Sequence, residues 1–201
     1  TGTLYSDDTC RRDLSPLFMA IEEASRRGWL DLSRVRVEYA GTTSHLFQRF
    51  AREYPDVPTF DHGLLPRDEA LALQDRASAL VVASWNNSKQ TGVLTGKVFE
   101  YLSRDVPIIG LCAGDIPGSD LRCLIEDCGA GMCYEEADRE TYDDLVSFVG
   151  GLYLQWSEKG LTYRDSRAAE RVRRYSYPEL AERLVSSMRS CRSPSESPLS
   201  S

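Results

Sequence analysis

Residues 79–111 read ALVVASWNNSKQTGVLTGKVFEYLSRDVPIIGL, and the order of elements within them decides the fold class. "ALVVAS" (79–84) and "VPIIGL" (106–111) are short apolar runs of strand length, bounded by polar, Gly or Pro residues. Between them, from Lys97 to Arg104, apolar residues recur at helical spacing. Two strands joined by a helix-bearing connection of this length form a parallel βαβ unit, because a hairpin needs only a few residues. Both runs are almost wholly apolar, as strands covered on both faces are.

The alternation continues on either side. "VRVEYA" (35–40) and "GMCY" (131–134) read as strands, and "TGTLY" (1–5) and "VPTF" (57–60) as weaker ones. Helical patterns cover 14–27, 44–54, 67–76, 97–104 and 119–128. The expectation is an α/β fold: a doubly wound, Rossmann-like parallel sheet of about six strands, with helices on both faces. After Tyr134 only helical patterns follow, over 140–158, 163–174 and 178–189. One domain is expected over 1–190, closing helices 140–190 included, followed by a disordered Ser/Pro-rich tail over 191–201. Thr1 stands on a strand already under way, which reads as a start inside a longer protein.

Composition narrows the function. The 201 residues carry a formal net charge of −7, whereas nucleic-acid binders present a basic face. No apolar run approaches the ~20 residues that span a bilayer, so no transmembrane segment is expected and the location expected is cytoplasmic. The six cysteines include no C-x-x-C pair and meet only two histidines, which reads as scattered buried thiols and no metal site.

The "GVLTGK" segment (92–97) ends in the Gly-Lys pair of a Walker A loop. That loop needs four residues between its glycines and a hydroxyl residue after the lysine. Here Gly92 and Gly96 enclose Val93, Leu94 and Thr95, and Val98 follows Lys97, so a nucleotide triphosphatase is disfavoured. An anion at this place still makes physical sense, because ligands of open parallel sheets bind beyond the carboxyl ends of the strands. Lys97, Glu100 and Arg104 share a helix face at i, i+3 and i+7, while Val98, Tyr101 and Leu102 turn to the sheet. Lys97 would meet a phosphate, and Glu100 would accept from a ribose cis-diol. The alternative for the same spacing is a solvated Lys–Glu pair.

"TGKVFEYLSRDVPIIGL" resembles the donor-binding half of GT-B glycosyltransferases, close to glycosyltransferase family 4 (the group 1 transferases). "TGTLY…RRDLSPLFMAI", "DHGLLPRDEALALQDRASALVV", "LIEDCGAGMCY" and "YSYPELAERLV" are similar to further pieces of that half, in the same order. The resemblance implies binding of a nucleotide-diphosphate sugar, base unspecified. It implies retaining transfer to an acceptor without an essential metal or other cofactor, which agrees with the absence of D-x-D. It also implies a partner: an N-terminal acceptor-binding domain outside this chain, through which any peripheral membrane contact would come. Donor binding without transfer is therefore expected of these residues alone.

Position by position, the resemblance gives Glu100 the ribose, as the second Glu of E-x7-E, and gives Lys97 the leaving diphosphate together with Arg11 or Arg12. Gly2 and Gly96 would let backbone approach the ligand, the His62–Gly63–Leu64 turn would present backbone to the base, and Asn86 would reach sugar hydroxyls. As plain structure, Arg11 and Arg12 are an exposed loop pair, Gly2 a turn glycine, His62 a turn or capping residue, and Trp85 a packing residue. The first Glu of E-x7-E falls on Gly92. Two other readings stay open: a sugar-nucleotide 2-epimerase on the same fold, and a non-catalytic nucleotide-binding or interaction module, which Gly92 favours.

Overall fold

Parallel strands with helices on both faces form the molecule, seen in a computed structural model that describes residues 1–5, 11–92, 94–160 and 166–191. The strands are β1 (Val37–Tyr39), β2 (Thr59–Asp61), β3 (Leu80–Trp85), β4 (Ile108–Ala113) and β5 (Gly131–Glu135). The helices are α1 (Ser15–Arg26), α2 (Ser44–Glu53), α3 (Arg67–Asp75), α4 (Gly96–Leu102), α5 (Asp120–Cys128), α6 (Glu140–Lys159), α7 (Ser166–Arg173) and α8 (Tyr177–Cys191). The expected tail over 191–201 lies outside the described residues, apart from Cys191, which ends α8.

Local chemistry sets the element ends. In α5, the Ser119 side chain accepts from the Arg122 amide at 3.2 Å, and Asp120 places a negative charge in the first turn. Gly129 ends that helix in the left-handed region, φ 57°, where a side chain would be strained. In α1, the Asp13 carboxylate accepts from the Ser15 amide at 2.9 Å. Leu17, Phe18, Ile21 and Ala24 then fall on one face and are buried.

β4 is the centre of a three-stranded parallel sheet ordered β3-β4-β5, with Leu80 opposite Ile108 and Ile108 opposite Gly131. All of its residues are buried, and they divide by parity between two cores. Ile109 and Leu111 join Phe18, Phe47, Phe50, Leu145 and Val146 of α1, α2 and α6. Ile108 and Cys112 join Val98, Tyr101, Leu121 and Ile125 of α4 and α5. This is the doubly wound arrangement expected from residues 79–111.

The continuous sheet of about six strands is corrected by the structure. β1 and β2 form a separate two-stranded parallel sheet, with Val37 opposite Thr59. Residues 1–5 form no strand. The Gly2 amide donates to the Ala40 carbonyl at 2.9 Å, but the next groups turn to side chains. Tyr39 Oη donates to the Gly2 carbonyl at 2.7 Å, and the Leu4 amide donates to Thr43 Oγ1 at 2.8 Å. Hydroxyl groups thus take the bonds that a strand would give its neighbour, and the segment crosses the end of β1 as a loop.

No described helix is long and apolar enough to cross a membrane.

Candidate functional site

The carboxyl ends of the strands carry most of the residues singled out from sequence, in several hydrogen-bonded groups. Beyond β1 and β2, the Gly41 amide donates to the Gly63 carbonyl at 2.8 Å. A Cβ on Gly41 would stand 1.9 Å from the Gly2 carbonyl oxygen, so these two backbones touch. Gly63 adopts φ 63° and its amide donates to Asp61 Oδ1 at 2.9 Å, which fixes the turn. Leu64, next to it, is exposed. His62 is held by Glu38, 2.7 Å from Nε2 to Oε2, so its ring serves the turn.

A bonded cluster surrounds Glu100. Lys97 Nζ donates to Glu100 Oε1 at 2.7 Å, and Gln74 Nε2 donates to the same oxygen at 2.7 Å. Gln74 Nε2 also reaches Thr1 Oγ1 at 2.9 Å, while Tyr101 Oη donates to the Thr1 carbonyl at 3.0 Å. Burial works to raise the Glu100 pKa, but the bonds from Lys97 and Gln74 outweigh it and hold the carboxyl below its usual range. Burial pushes the Tyr101 phenol up to about 12, so it remains a donor at neutral pH. Gln74 is buried and its Oε1 has no hydrogen-bond partner, which leaves one acceptor unused beside the site.

α4 is shorter than the sequence suggested. It runs from Gly96 to Leu102, and Ser103 Oγ donates to the Glu100 carbonyl at 2.6 Å, competing with backbone amides for that acceptor. Arg104, beyond the end of the helix, bonds Asp75 Oδ1 at 2.7 Å, next in the chain to the Gln74 that bonds Glu100. Gly96 opens this helix, exposed and with open space around its Cβ position. Val98, Tyr101 and Leu102 face the core as expected.

The two arginines differ. Arg11 Nη2 donates to both oxygens of Glu136 at 2.8 and 2.7 Å, and Glu136 also accepts from the Gly114 amide at 2.9 Å. Arg12 Nη1 donates to the Thr3 carbonyl at 2.7 Å, with its guanidinium 4.6 Å from the Tyr5 ring centroid and 5.8 Å from that of Trp85. Arg11 thus belongs to the ends of β4 and β5, and Arg12 to the loop above β3. The Asn86 side chain is buried and donates to the Ile116 carbonyl at 2.9 Å, so it braces the loop after β3.

Gly92 has a structural cause. A Cβ there would lie 1.9 Å from the Trp85 carbonyl oxygen and 2.8 Å from Ser84 Oγ. The loop after β3 folds back so tightly that this backbone leaves no room for the glutamate of E-x7-E.

Sequence reasoning missed Gln74, Glu136 and the Tyr101 hydroxyl. Gln74 carried a signal, since a polar residue on the buried side of α3 beside Leu73 needs a partner. Glu136 and Tyr101 gave none, because their partners come from distant parts of the chain. Among the described residues no group of His, Cys, Asp and Glu side chains is gathered so as to hold a metal ion.

Parallel strands, helices on both faces and polar groups gathered at the carboxyl edge define a Rossmann-type α/β protein. No protein-family model matches the sequence, and no curated protein is detectably similar to it.

Proposed function

We propose that the carboxyl edge binds the diphosphate and ribose of a nucleotide-diphosphate sugar, as the donor-binding domain of a glycosyltransferase. The observation that carries this reading is the Gln74–Glu100–Lys97 cluster, with both bonds to Glu100 Oε1 at 2.7 Å. An ionised carboxylate accepts from two ribose hydroxyls. A neighbouring ammonium, released from its ion pair, meets the diphosphate. That release costs little, since partly exposed ion pairs are worth about 0–1 kcal/mol. Gly2 brings backbone close by, and Arg12 stands over Trp85 on the β3 side. Arg11 keeps guanidinium donors beyond those used on Glu136, and it would add charge as the diphosphate leaves. In this reading transfer retains the anomeric configuration, uses no metal and is completed by an acceptor-binding domain. The residues described here bind donor without transferring it.

Gly92 supports a second reading, a nucleotide-binding module without transfer, because its backbone excludes the carboxylate that would approach the sugar. Calorimetric titration with UDP, GDP, ADP and TDP tests the binding that both readings share. Micromolar binding of one of them is the expected result; binding of none would overturn both. Incubation of the bound donor sugar together with an acceptor-binding domain then separates them, since only the transferase releases nucleoside diphosphate.

A further inference from the structure

A hollow of about 270 Å³ opens between the loop after β3 and the loop that leads from β4 into α5. Leu94, Ile116, Pro117 and Leu121 supply its apolar wall, and Lys97, Glu100 and Gln74 do not line it. Hydrogen bonds hold the two loops together. The Asn86 amide donates to the Ala113 carbonyl at 2.7 Å, and the Ile116 amide donates to the Asn86 carbonyl at 3.2 Å. Farther out, the Ser88 amide and hydroxyl donate to the two oxygens of Asp115 at 2.8 and 3.0 Å.

The polar groups that face this hollow are unused. Ser84 lines it from the end of β3. Two residues after Val82, which packs with Leu121, it points to the α5 side of the sheet. It is 7 % exposed, and among the described residues its hydroxyl has no hydrogen-bond partner. A Cβ on Gly92, which also lines the hollow, would stand 2.8 Å from that oxygen, so the glycine keeps the hydroxyl uncovered. Around the start of α5, the Gly118 and Ser119 amides donate to Glu135, and the Arg122 amide donates to Ser119 Oγ. The amides of Asp120 and Leu121 are left over, and both residues line the hollow.

We propose that this hollow is a second binding site, distinct from the Glu100 cluster, for one neutral monosaccharide. Its volume falls just below the ~300–1,000 Å³ of pockets for drug-sized ligands, which suits a single ring. Charge argues against an anion. Asp120 and Glu135 already offset the helix dipole, and among the described residues no Lys or Arg lines the hollow. What remains is a mixture of donors and acceptors beside an apolar wall. Sugar hydroxyls accept from Ser84 and the two amides and donate to Asp120, while the ring's C–H groups lie on Leu94, Ile116 and Pro117.

The test is a titration of the full 201-residue chain with glucose, N-acetylglucosamine and glucose 1-phosphate, followed by NMR at the amides of 84–92 and 116–121. At least one of the neutral sugars is expected to shift these signals saturably, with a Kd of about 1–10 mM. Glucose 1-phosphate should bind at least about fivefold more weakly, because its charge meets carboxylates. Ser84→Ala should weaken the neutral sugar about fivefold. No saturable shift with either neutral sugar overturns the proposal, as does tighter binding of the sugar phosphate. Undiminished binding in Ser84→Ala overturns it too. The wild-type titration decides between neutral and anionic ligand even where that variant fails to fold. UDP added last should leave the bound sugar in place; displacement would assign the hollow to the donor edge and end the claim of a second site. The sugar titration itself contains no nucleotide, so its result is independent of the donor-binding reading.

Discussion

At Glu135 the chain commits a buried carboxylate to holding the loop before α5 and the first turn of that helix. It accepts from the Gly118 amide at 2.8 Å, the Ser119 amide at 2.7 Å and Arg122 Nη1 at 3.2 Å. Burial raises its pKa, but these donors prevail and lower it below the ordinary 4.5. A lowered folded pKa means stability that is present in full above 4.5 and is lost as pH falls through the lower folded value. Glu135→Gln should therefore be less stable at neutral pH and show a flatter decline below 4.5, read by urea unfolding across pH. An unchanged pH profile would show that the carboxylate is not what titrates. Gly92→Ala addresses the other unusual residue. With its Cβ 1.9 Å from the Trp85 carbonyl oxygen, the loop after β3 must move. A loss of about 1–3 kcal/mol is expected from that overpacking, measured by denaturant unfolding. The sequence marks Gly92 as a departure from E-x7-E, but its cause is a contact with Trp85 that no local pattern reveals.

Among the elements, legibility followed burial. β3 and β4 were readable because both lie between helices and are apolar but for Ser84, and α1 because its buried residues keep helical spacing. Residues 1–5 were not, since their bonds go to the Tyr39 and Thr43 hydroxyls, which belong to another part of the chain. The C-terminal end of α4 was misplaced because Ser103 bonds back to Glu100 and Arg104 finds Asp75. The packing of α1 supplies an element-scale prediction. Phe18 is fully buried and its ring stacks on Phe50 and Tyr54, at centroid distances of 6.1 and 5.4 Å. Phe18→Ala should cost about 3–5 kcal/mol in chemical unfolding. Ser119→Ala, which removes the α5 cap and the serine's side-chain interaction with Glu135, should cost about 1–2 kcal/mol. Similar costs for the two would deny that aromatic packing between α1 and α2 dominates this core.

For the whole molecule, the net charge of −7 opposes a polyanion, so any diphosphate must be held by local groups at the carboxyl edge. The sequence placed Lys97 and Glu100 together and the structure finds them 2.7 Å apart. It did not place Gln74 or the Tyr101 hydroxyl beside them, because those contacts exist only after α3, α4 and residue 1 meet. The direct test of donor binding is calorimetric titration of the chain with the best-bound nucleoside diphosphate, repeated on Lys97→Ala and Glu100→Ala. Binding weakened at least about tenfold in each, about 1.4 kcal/mol, is the result predicted for a lysine on the diphosphate and a glutamate on the ribose. Undiminished binding in both variants, with the fold intact by circular dichroism, would contradict it.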